Sequence, residues 1–169
     1  MIIALDVAYT GDAQGYAVAL AFADWAAATP AATYAATVSP IAAYEPGAFY
    51  KRELPCLLAV LAQIDLGEVS CVVVDGYVTL GAEGRPGLGQ HLYEALGCAI
   101  SVVGVAKTRF AGMAPQVAPV LRGSSQNPLY VTSAGLPLAE AARLVASMHG
   151  QYRFPTLLKL LDDLTKQAA

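Results

Sequence analysis

Three carboxylates stand at positions of the sequence where an uncompensated negative charge is costly. Asp6 lies inside the apolar run MIIALDVAY, Asp75 ends the run CVVVD just before Gly76, and Glu53 lies at the mouth of an apolar stretch. A buried carboxylate needs a partner, and the chain offers few fixed cations near these positions. A divalent ion with oxygen ligands would supply the missing positive charge.

Together, the three acids are typical of metal-assisted chemistry at one rim of a sheet. If the elements that carry them converge, the cluster suits phosphodiester hydrolysis, in which divalent ions polarise the phosphate and lower the pKa of the attacking water. Each acid also has a simpler interpretation. Asp6 or Asp75 could be a capping or turn residue at a strand end, and Glu53 could complement a helix dipole.

A second concentration of polar and aromatic residues lies between positions 44 and 55, where the chain reads YEPGAFYKRELP. Three aromatic residues surround a Pro-Gly turn, which then runs into Lys51, Arg52 and Glu53. The two basic residues could offset the neighbouring acid, contact a phosphate, or form a solvated helix end.

The elements that must position these residues follow from the hydrophobic pattern. Apolar runs of strand length alternate with leucine-rich segments of helical spacing, in which Pro55 is tolerated only in a first turn. The predicted elements are strands MIIALDVAY, YAVALAFAD, ATYAATV, CVVVD, ISVVGVAK and PLYVT, helices over Leu54 to Ile64, over QHLYEAL, after Pro137 and after Pro155, a glycine-rich loop GYVTLGAEGRPGLG and an irregular loop over 108–127. This order predicts an α/β mixed sheet with an antiparallel side and helices on both faces.

The composition indicates one folded domain over residues 1–169. The chain is 56% hydrophobic and 14% charged, which argues against disorder. Because the net charge is -3, binding to nucleic acid would need a local concentration of positive charge. The three cysteines are isolated in apolar runs, and we recognise no signal peptide or membrane-spanning segment. We therefore expect a cytoplasmic protein with reduced cysteines and no membrane partner.

Seven short motifs follow one another along nearly the whole chain. They are LDVAY at 5–9, YEPGAFYKRELP at 44–55, VVVDGY at 72–77, GLGQH at 87–91, VGVAK at 103–107, RGSSQNPLYVTSAG at 122–135 and YRFP at 152–155. In this order they resemble the endonuclease V family, whose members nick nucleic acid near deoxyinosine. The resemblance implies a ribonuclease-H-like fold, which agrees with the predicted order of strands and helices.

The resemblance also implies a metal centre. Asp6, Glu53 and Asp75 match the acids that hold magnesium in the family, and manganese is a second candidate ion. Lys107 matches a lysine that is expected to contact the phosphate or the leaving oxygen. We therefore expect these four residues to form the catalytic site.

A substrate site is implied by the same motifs. Its predicted residues are Tyr44, Pro46, Gly47, Gly76, Arg122 and Ser124. The first two match a wedge that splits a base pair, and the two glycines match backbone positions that line the pocket of the flipped base. The last two lie in the motif that begins at residue 122. The expected partner is DNA or RNA that contains inosine.

The chain departs from the family pattern at two histidines. Leu136 stands where the family has a histidine after the matched glycine, and Tyr77 stands where a histidine usually follows the Asp-Gly pair. Loss of a histidine that assists the metal predicts reduced activity, with stronger cleavage in manganese than in magnesium. His91 matches a family position on the helix that follows, and Asp162 matches an acid in the last helix, but we prefer a packing or surface role for His91 and interpret Asp162 as a solvated acid beside Asp163.

Three functions are compatible with these observations. The first is a magnesium-dependent endonuclease that hydrolyses a phosphodiester bond 3′ to deoxyinosine or inosine, in DNA repair or RNA processing. The second is a nucleic-acid-binding protein of the same fold whose cleavage is weakened or lost. The third is a ribonuclease-H-like nuclease with another substrate, such as structured RNA or a branched junction.

Overall fold

A mixed sheet with helices on both faces forms the body of the protein. The computed structural model describes residues 1–11, 13–112 and 116–168. The strands are β1 (Ile2–Thr10), β2 (Gln14–Phe22), β3 (Ala32–Val38), β4 (Cys71–Asp75), β5 (Thr79–Leu80), β6 (Arg85–Pro86), β7 (Ser101–Ala106), β8 (Ala118–Val120) and β9 (Leu129–Ala134). The helices are α1 (Tyr50–Leu61), α2 (Leu88–Ala95), α3 (Leu138–Ser147) and α4 (Thr156–Ala168), with a short 3-10 turn at Leu66–Glu68.

In the described part of the chain, seven strands form one sheet in the order β3-β2-β1-β4-β7-β9-β8, and β5 and β6 form a separate hairpin. Strands β1, β4 and β7 run parallel, and antiparallel strands flank them on both sides. The β-branched sequences of β4 and β7 suit central strands that are buried on both faces. The parallel pairing of β1 with β4 and of β4 with β7 stops at the same edge, so residues at that level of the three strands are brought together there.

The alternation of side chains along the strands divides the core into two layers. On β1, Ile2 and Ala4 pack in the layer under α3 and α4, whereas Ile3 and Leu5 pack in the layer under α1 and α2. Asp6 continues the first series. Its side chain therefore emerges on the face that α4 covers.

A glycine in β7 shapes the turn that follows β4. A Cβ atom at Gly104 would lie 2.5 Å from the carbonyl oxygen of Gly76 and 2.6 Å from the hydroxyl of Thr132. The same hydroxyl accepts a hydrogen bond of 2.8 Å from the backbone N–H of Val78. Only glycine lets the backbone after Asp75 lie this close to β7, so this contact fixes where that acid points.

The structure confirms the predicted mixed sheet and the order of its main elements, but three local predictions are wrong. Helix α1 begins at Tyr50 rather than near Leu54, so Pro55 lies in its sixth position and removes one hydrogen bond, to the carbonyl of Lys51. The predicted irregular loop over 108–127 contains β8, and its residues 113–115 lie outside the described part. The glycine-rich loop contains the hairpin of β5 and β6.

None of the described helices is long and apolar enough to cross a membrane.

Candidate active site

Two acids end up side by side at the edge where the parallel strands finish. Leu5 of β1 pairs with Val74 of β4, so the residues that follow them, Asp6 and Asp75, leave the paired region at the same level. Asp162 of α4 joins them from above the sheet. One carboxylate oxygen of each acid lies within 4.8 Å of the corresponding oxygens of the other two.

Asp162 is part of this cluster, and its interpretation as a solvated acid is wrong. Its side chain is only 13% exposed and accepts hydrogen bonds from Lys107 at 2.9 Å and from Lys166 at 2.7 Å. These two bonds hold the pKa of Asp162 below its ordinary value, although burial alone would raise it. Its neighbour Asp163 is the solvated acid, paired with Lys159. The sequence carried a signal for this arrangement, because position 162 lies one helical turn after the buried Leu158.

A buried threonine on the same helix orients Asp6. The hydroxyl of Thr165, which is 1% exposed, donates to Asp6 Oδ2 at 2.6 Å, and the N–H of Val7 donates to Asp6 Oδ1 at 2.9 Å. Burial raises the pKa of Asp6 above its ordinary value and the charge of Asp75 raises it further, while the Thr165 hydrogen bond opposes both. Helix α4 therefore supplies both an acid and an anchor for the acid on β1.

Glu53 approaches the same edge from the opposite face of the sheet. It lies in the first turn of α1, whose buried residues pack in the other core layer. Burial, followed by the charges of Asp6 and Asp75, raises the pKa of Glu53 to about 8. Glu53 therefore lies near the two predicted aspartate ligands, but the carboxylate oxygens that lie within 4.8 Å of one another belong to Asp6, Asp75 and Asp162.

The two basic residues before Glu53 have different surroundings. Arg52 is 8% exposed and its guanidinium lies 4.7 Å from the centre of the Tyr9 ring. Its charge lowers the pKa of Glu53, so it offsets the neighbouring acid and is not a solvated helix end. Lys51 is exposed and pairs with Glu45 at 2.7 Å. Only Lys51 therefore behaves as a solvated residue.

Lys107 bridges two of the acids. Its ammonium group lies 3.2 Å from Asp75 and 2.9 Å from Asp162, and it also lies 4.5 Å from the centre of the Phe154 ring. Burial would lower the pKa of Lys107, but the hydrogen bond to Asp162 and the charge of Asp75 raise it above its ordinary value. Lys107 therefore carries a positive charge beside the cluster near neutral pH.

The donor set of this cluster fits a hard divalent cation. Its members offer carboxylate oxygens, which magnesium and manganese prefer over nitrogen or sulfur ligands. Burial raises the pKa values of both Asp6 and Glu53, and the charges of the neighbouring acids raise them further, so a cation at this point would relieve both effects. The residues that would hold such an ion are Asp6, Asp75, Asp162 and Glu53.

A pocket of about 540 Å³ opens beside the acids. Glu53 and Asp75 line it, together with Gly47 and Gly76, which have positive φ angles of 78° and 135°. The remaining lining residues include the aromatic side chains of Phe49, Tyr50, Tyr77 and Phe110. An aromatic-lined pocket that shares Asp75 with the acid cluster suits a planar ligand attached to the group that reacts there.

Comparison with known proteins agrees with this geometry. A protein-family comparison matches residues 1–135 to the family described as Endonuclease V. The chain belongs to the endonuclease V family. The family is one of hydrolytic nucleases, so its members act on nucleic acid. The match ends before α4, and so Asp162 and Thr165 lie outside it.

Solved structures of endonuclease V show the same ribonuclease-H-like fold. The human enzyme superposes with a TM-score of 0.75 at 23% identity, covering 99% of this chain and 83% of that chain. The enzyme of Ciona intestinalis, in complex with a 24mer DNA containing an inosine followed by a ribo-adenosine, gives a TM-score of 0.75 at 16% identity, covering 99% and 84%. The Bacillus subtilis enzyme gives 0.74 at 17% identity, covering 99% and 78%. A comparison with curated proteins finds no match.

Leu136 does not occupy the endonuclease V active site, so its interpretation as a lost catalytic position is wrong. Strand β9 is antiparallel to β7, and Ala134 pairs with Val102 near the start of β7, whereas Asp75 pairs with Val105 near its end. At about 3.3 Å per residue, this separates the two levels by roughly 10 Å. Leu136 lies beyond Ala134 and packs against the core under α3. The missing histidine at this position therefore gives no reason to expect reduced activity.

The other predicted histidine position is filled by a structural tyrosine. The hydroxyl of Tyr77 donates to the carbonyl of Thr108 at 2.7 Å and accepts from the N–H of Phe110 at 3.1 Å. It thereby fixes the segment after Lys107. His91 stacks on Tyr50 with ring centres 3.6 Å apart, as the packing interpretation predicted.

Arg122 is a structural residue, and its predicted contact with substrate is wrong. It is 6% exposed, and its guanidinium donates to backbone carbonyls of the segment before α4, at Met148, Gly150, Tyr152 and Arg153. It thus ties the loop after β8 to this segment. Ser124 is exposed on the same loop, and its contact with substrate stays a prediction.

The wedge residues are exposed next to the pocket. Tyr44 is 60% exposed and packs edge-on against Phe49, with ring centres 6.0 Å apart. Phe49 in turn packs edge-on against Tyr9 at 6.3 Å. Pro46 is exposed in the turn between them. The aromatic support under Tyr44 would let an exposed ring resist displacement, while its wedge role stays a prediction.

The raised pKa of Glu53 predicts a pH-dependent stability of the metal-free protein. An acid whose pKa rises from 4.5 to about 8 on folding favours the folded state below pH 4.5 and loses this contribution as pH rises towards 8. We expect Glu53→Gln to remove this loss. In EDTA, its melting temperature should exceed that of the wild type by a margin that grows between these two pH values.

Glu45→Gln is the matched control, because Glu45 is 56% exposed and pairs only with Lys51 among the described residues. It should follow the wild-type profile at each pH. Parallel melting profiles for Glu53→Gln and the wild type would contradict the buried, repelled state of Glu53.

Proposed function

We propose that the protein is a divalent-metal-dependent endonuclease that hydrolyses a phosphodiester bond 3′ to deoxyinosine or inosine in DNA or RNA. The observation that carries the proposal is the cluster of Asp6, Asp75 and Asp162, which opens into a glycine-rimmed aromatic pocket. Family membership and the inosine-containing DNA bound to the Ciona intestinalis enzyme support it. Magnesium is the proposed ion, with manganese as a substitute.

In this proposal the acid cluster carries out the hydrolysis, and the pocket recognises the base. A divalent ion at these carboxylates would polarise the phosphate and activate the attacking water. Asp6 is held for this role by Thr165, and Asp75 by the tight turn over β7. Lys107 places a permanent positive charge beside both Asp75 and Asp162, where it would stabilise the negative charge that develops on the phosphate or leaving oxygen.

Recognition of the base would use the pocket. An extruded purine could enter between the backbone at Gly47 and Gly76, whose lack of Cβ atoms permits close approach. Tyr44 would fill the space that the base leaves in the stack. The base and the reacting phosphate would then be held at one junction, because Asp75 belongs to both pocket and cluster.

Cleavage of defined oligonucleotides tests the proposal. Strands carrying one deoxyinosine or one inosine, and matched strands carrying guanine instead, are incubated with magnesium, manganese or EDTA. We expect cuts 3′ to the modified base with either metal and none in EDTA. Equal cleavage of the plain strands would favour a nuclease with another target. Binding without any cleavage would favour a binding protein.

Removal of single carboxylates should separate catalysis from binding. Asp75→Asn keeps the shape of the side chain but removes the charge, so cleavage should fall by roughly a hundredfold or more while the Kd for the inosine strand stays within about twofold. Asp162→Asn should also impair cleavage. Asp163→Asn is its matched control on the next position of α4 and should retain activity. Wild-type rates for both Asp75→Asn and Asp162→Asn would contradict the proposed site.

The wedge role of Tyr44 predicts a substrate-dependent effect. Tyr44→Ala should lower kcat/KM about tenfold for inosine in a duplex, because unstacking a base costs a few kcal/mol and a wedge offsets part of it. A single strand needs little unstacking, so cleavage there should change much less. Equal losses on both substrates, measured under the same conditions, would show that Tyr44 only packs against Phe49.

A further inference from the structure

A second cleft, of about 270 Å³, is lined by Lys107, whose ammonium group contacts Asp75 of the acid cluster. Lys107 lies at one end of it, and Arg109, Asn127, Tyr130 and Arg153 contribute to its walls. It lies at the catalytic edge of the sheet, because β9 begins there opposite the end of β7. The aromatic pocket, the acid cluster and this basic cleft are therefore linked in turn, because Asp75 belongs to both pocket and cluster and contacts Lys107 of the cleft.

The charge of the cleft is one-sided. Among the described residues, no acid lines it, and no carboxylate pairs with Arg109 or Arg153. The guanidinium of Arg153 instead donates to the backbone carbonyls of Lys107, Asn127 and Pro128, which leaves its positive charge unneutralised. In a chain whose net charge is -3, such a concentration of unpaired cations favours an anionic ligand.

The wall between pocket and cleft is held rigidly. It is the segment that follows Lys107, in which Phe110 lines the pocket and Arg109 lines the cleft. The hydroxyl of Tyr77 binds the backbone of this segment at two points, the carbonyl of Thr108 and the N–H of Phe110. The backbone that carries Arg109 is therefore hydrogen-bonded to Tyr77, which lines the base pocket.

We propose that this basic cleft binds the sugar–phosphate backbone of the substrate strand immediately 3′ to the cut. The inference rests on the proposed function. A strand with its base in the pocket and its reacting phosphate at the cluster must continue past Lys107, which borders the cleft. Because the cut lies 3′ to the recognised base, the continuing part is the 3′ arm.

The chemistry of the lining residues suits this ligand. The guanidinium of Arg109 is exposed and has no protein acceptor among the described residues, so it can donate two parallel hydrogen bonds to a phosphate. The half-buried ring of Tyr130 offers an apolar surface to a sugar or base, and the side chain of Asn127 adds polar groups beside it. None of these groups reads the identity of a base, so binding should depend little on the sequence of the 3′ arm.

The length of the 3′ arm provides the test. Single strands with one deoxyinosine and a constant 5′ arm either end with the nucleotide after the cut or continue for several nucleotides. For the wild type in magnesium, we expect the longer arm to lower KM about fivefold with little change in kcat. Arg109→Ala should raise KM about fivefold on the long arm and leave KM on the short arm unchanged.

Arg143→Ala is the matched control, because Arg143 is an exposed arginine on α3, a helix that contributes no residue to the lining of the cleft. It should keep the wild-type response to arm length. Arg109→Lys, which keeps the charge but not the paired donors, should fall between Arg109→Ala and the wild type. Both Arg109 variants change an exposed side chain, and melting temperatures equal to the wild type would confirm that they fold.

The outcomes separate the two proposals. The proposed function stands, but the basic cleft is not the 3′ site, if the wild type cuts 3′ to inosine with a KM that does not depend on the length of the 3′ arm. The same conclusion follows if Arg109→Ala raises KM equally on the short and the long substrate. A response to the 5′ arm instead of the 3′ arm would also overturn the inference. If the wild type shows neither cleavage nor preference for inosine, the proposed function fails and the inference falls with it.

Discussion

Asp6 and Asp75 lie side by side where the pairing of β1 with β4 stops, and the close approach of these two acids is the constraint around which the rest of the site is arranged. Lys107 offsets part of their negative charge from the end of β7, and Thr165 holds one carboxylate oxygen of Asp6. Asp162 adds a further acid to the same point. A fold that gathers like charges in this way gains stability from a divalent cation that binds only the folded state.

The same edge of the sheet joins recognition to chemistry. Gly104 lets the backbone after Asp75 lie against β7, and this backbone then carries Gly76 and Tyr77 into the aromatic pocket. Tyr77 fixes the segment after Lys107, which separates the pocket from the basic cleft. Strand pairing and the hydrogen bonds of one tyrosine therefore help to set the distances between base pocket, acids and basic cleft.

Much of this arrangement could be predicted because strand patterns carry it. The runs around Asp6 and Asp75 are typical of central strands, and parallel strands must bring their ends together. Contacts between distant segments were harder to predict. The buried role of Arg122 depends on carbonyls some thirty residues away, which no local pattern encodes. The place of Leu136 depends on the direction of β9, because an antiparallel strand carries it away from the site. Asp162 was misjudged, although its spacing from the buried Leu158 places it on the inner side of α4.

The central claim is that the acids at this edge hold a divalent ion, and anomalous X-ray diffraction from crystals grown with manganese tests it most directly. The account predicts an anomalous peak at the edge of β1 and β4, with oxygen atoms of Asp6 and Asp75 within about 2.0 to 2.3 Å of it. Asp162 or Glu53 should complete the protein ligands. A fully occupied manganese peak at other residues, with no density between Asp6 and Asp75, would contradict the claim.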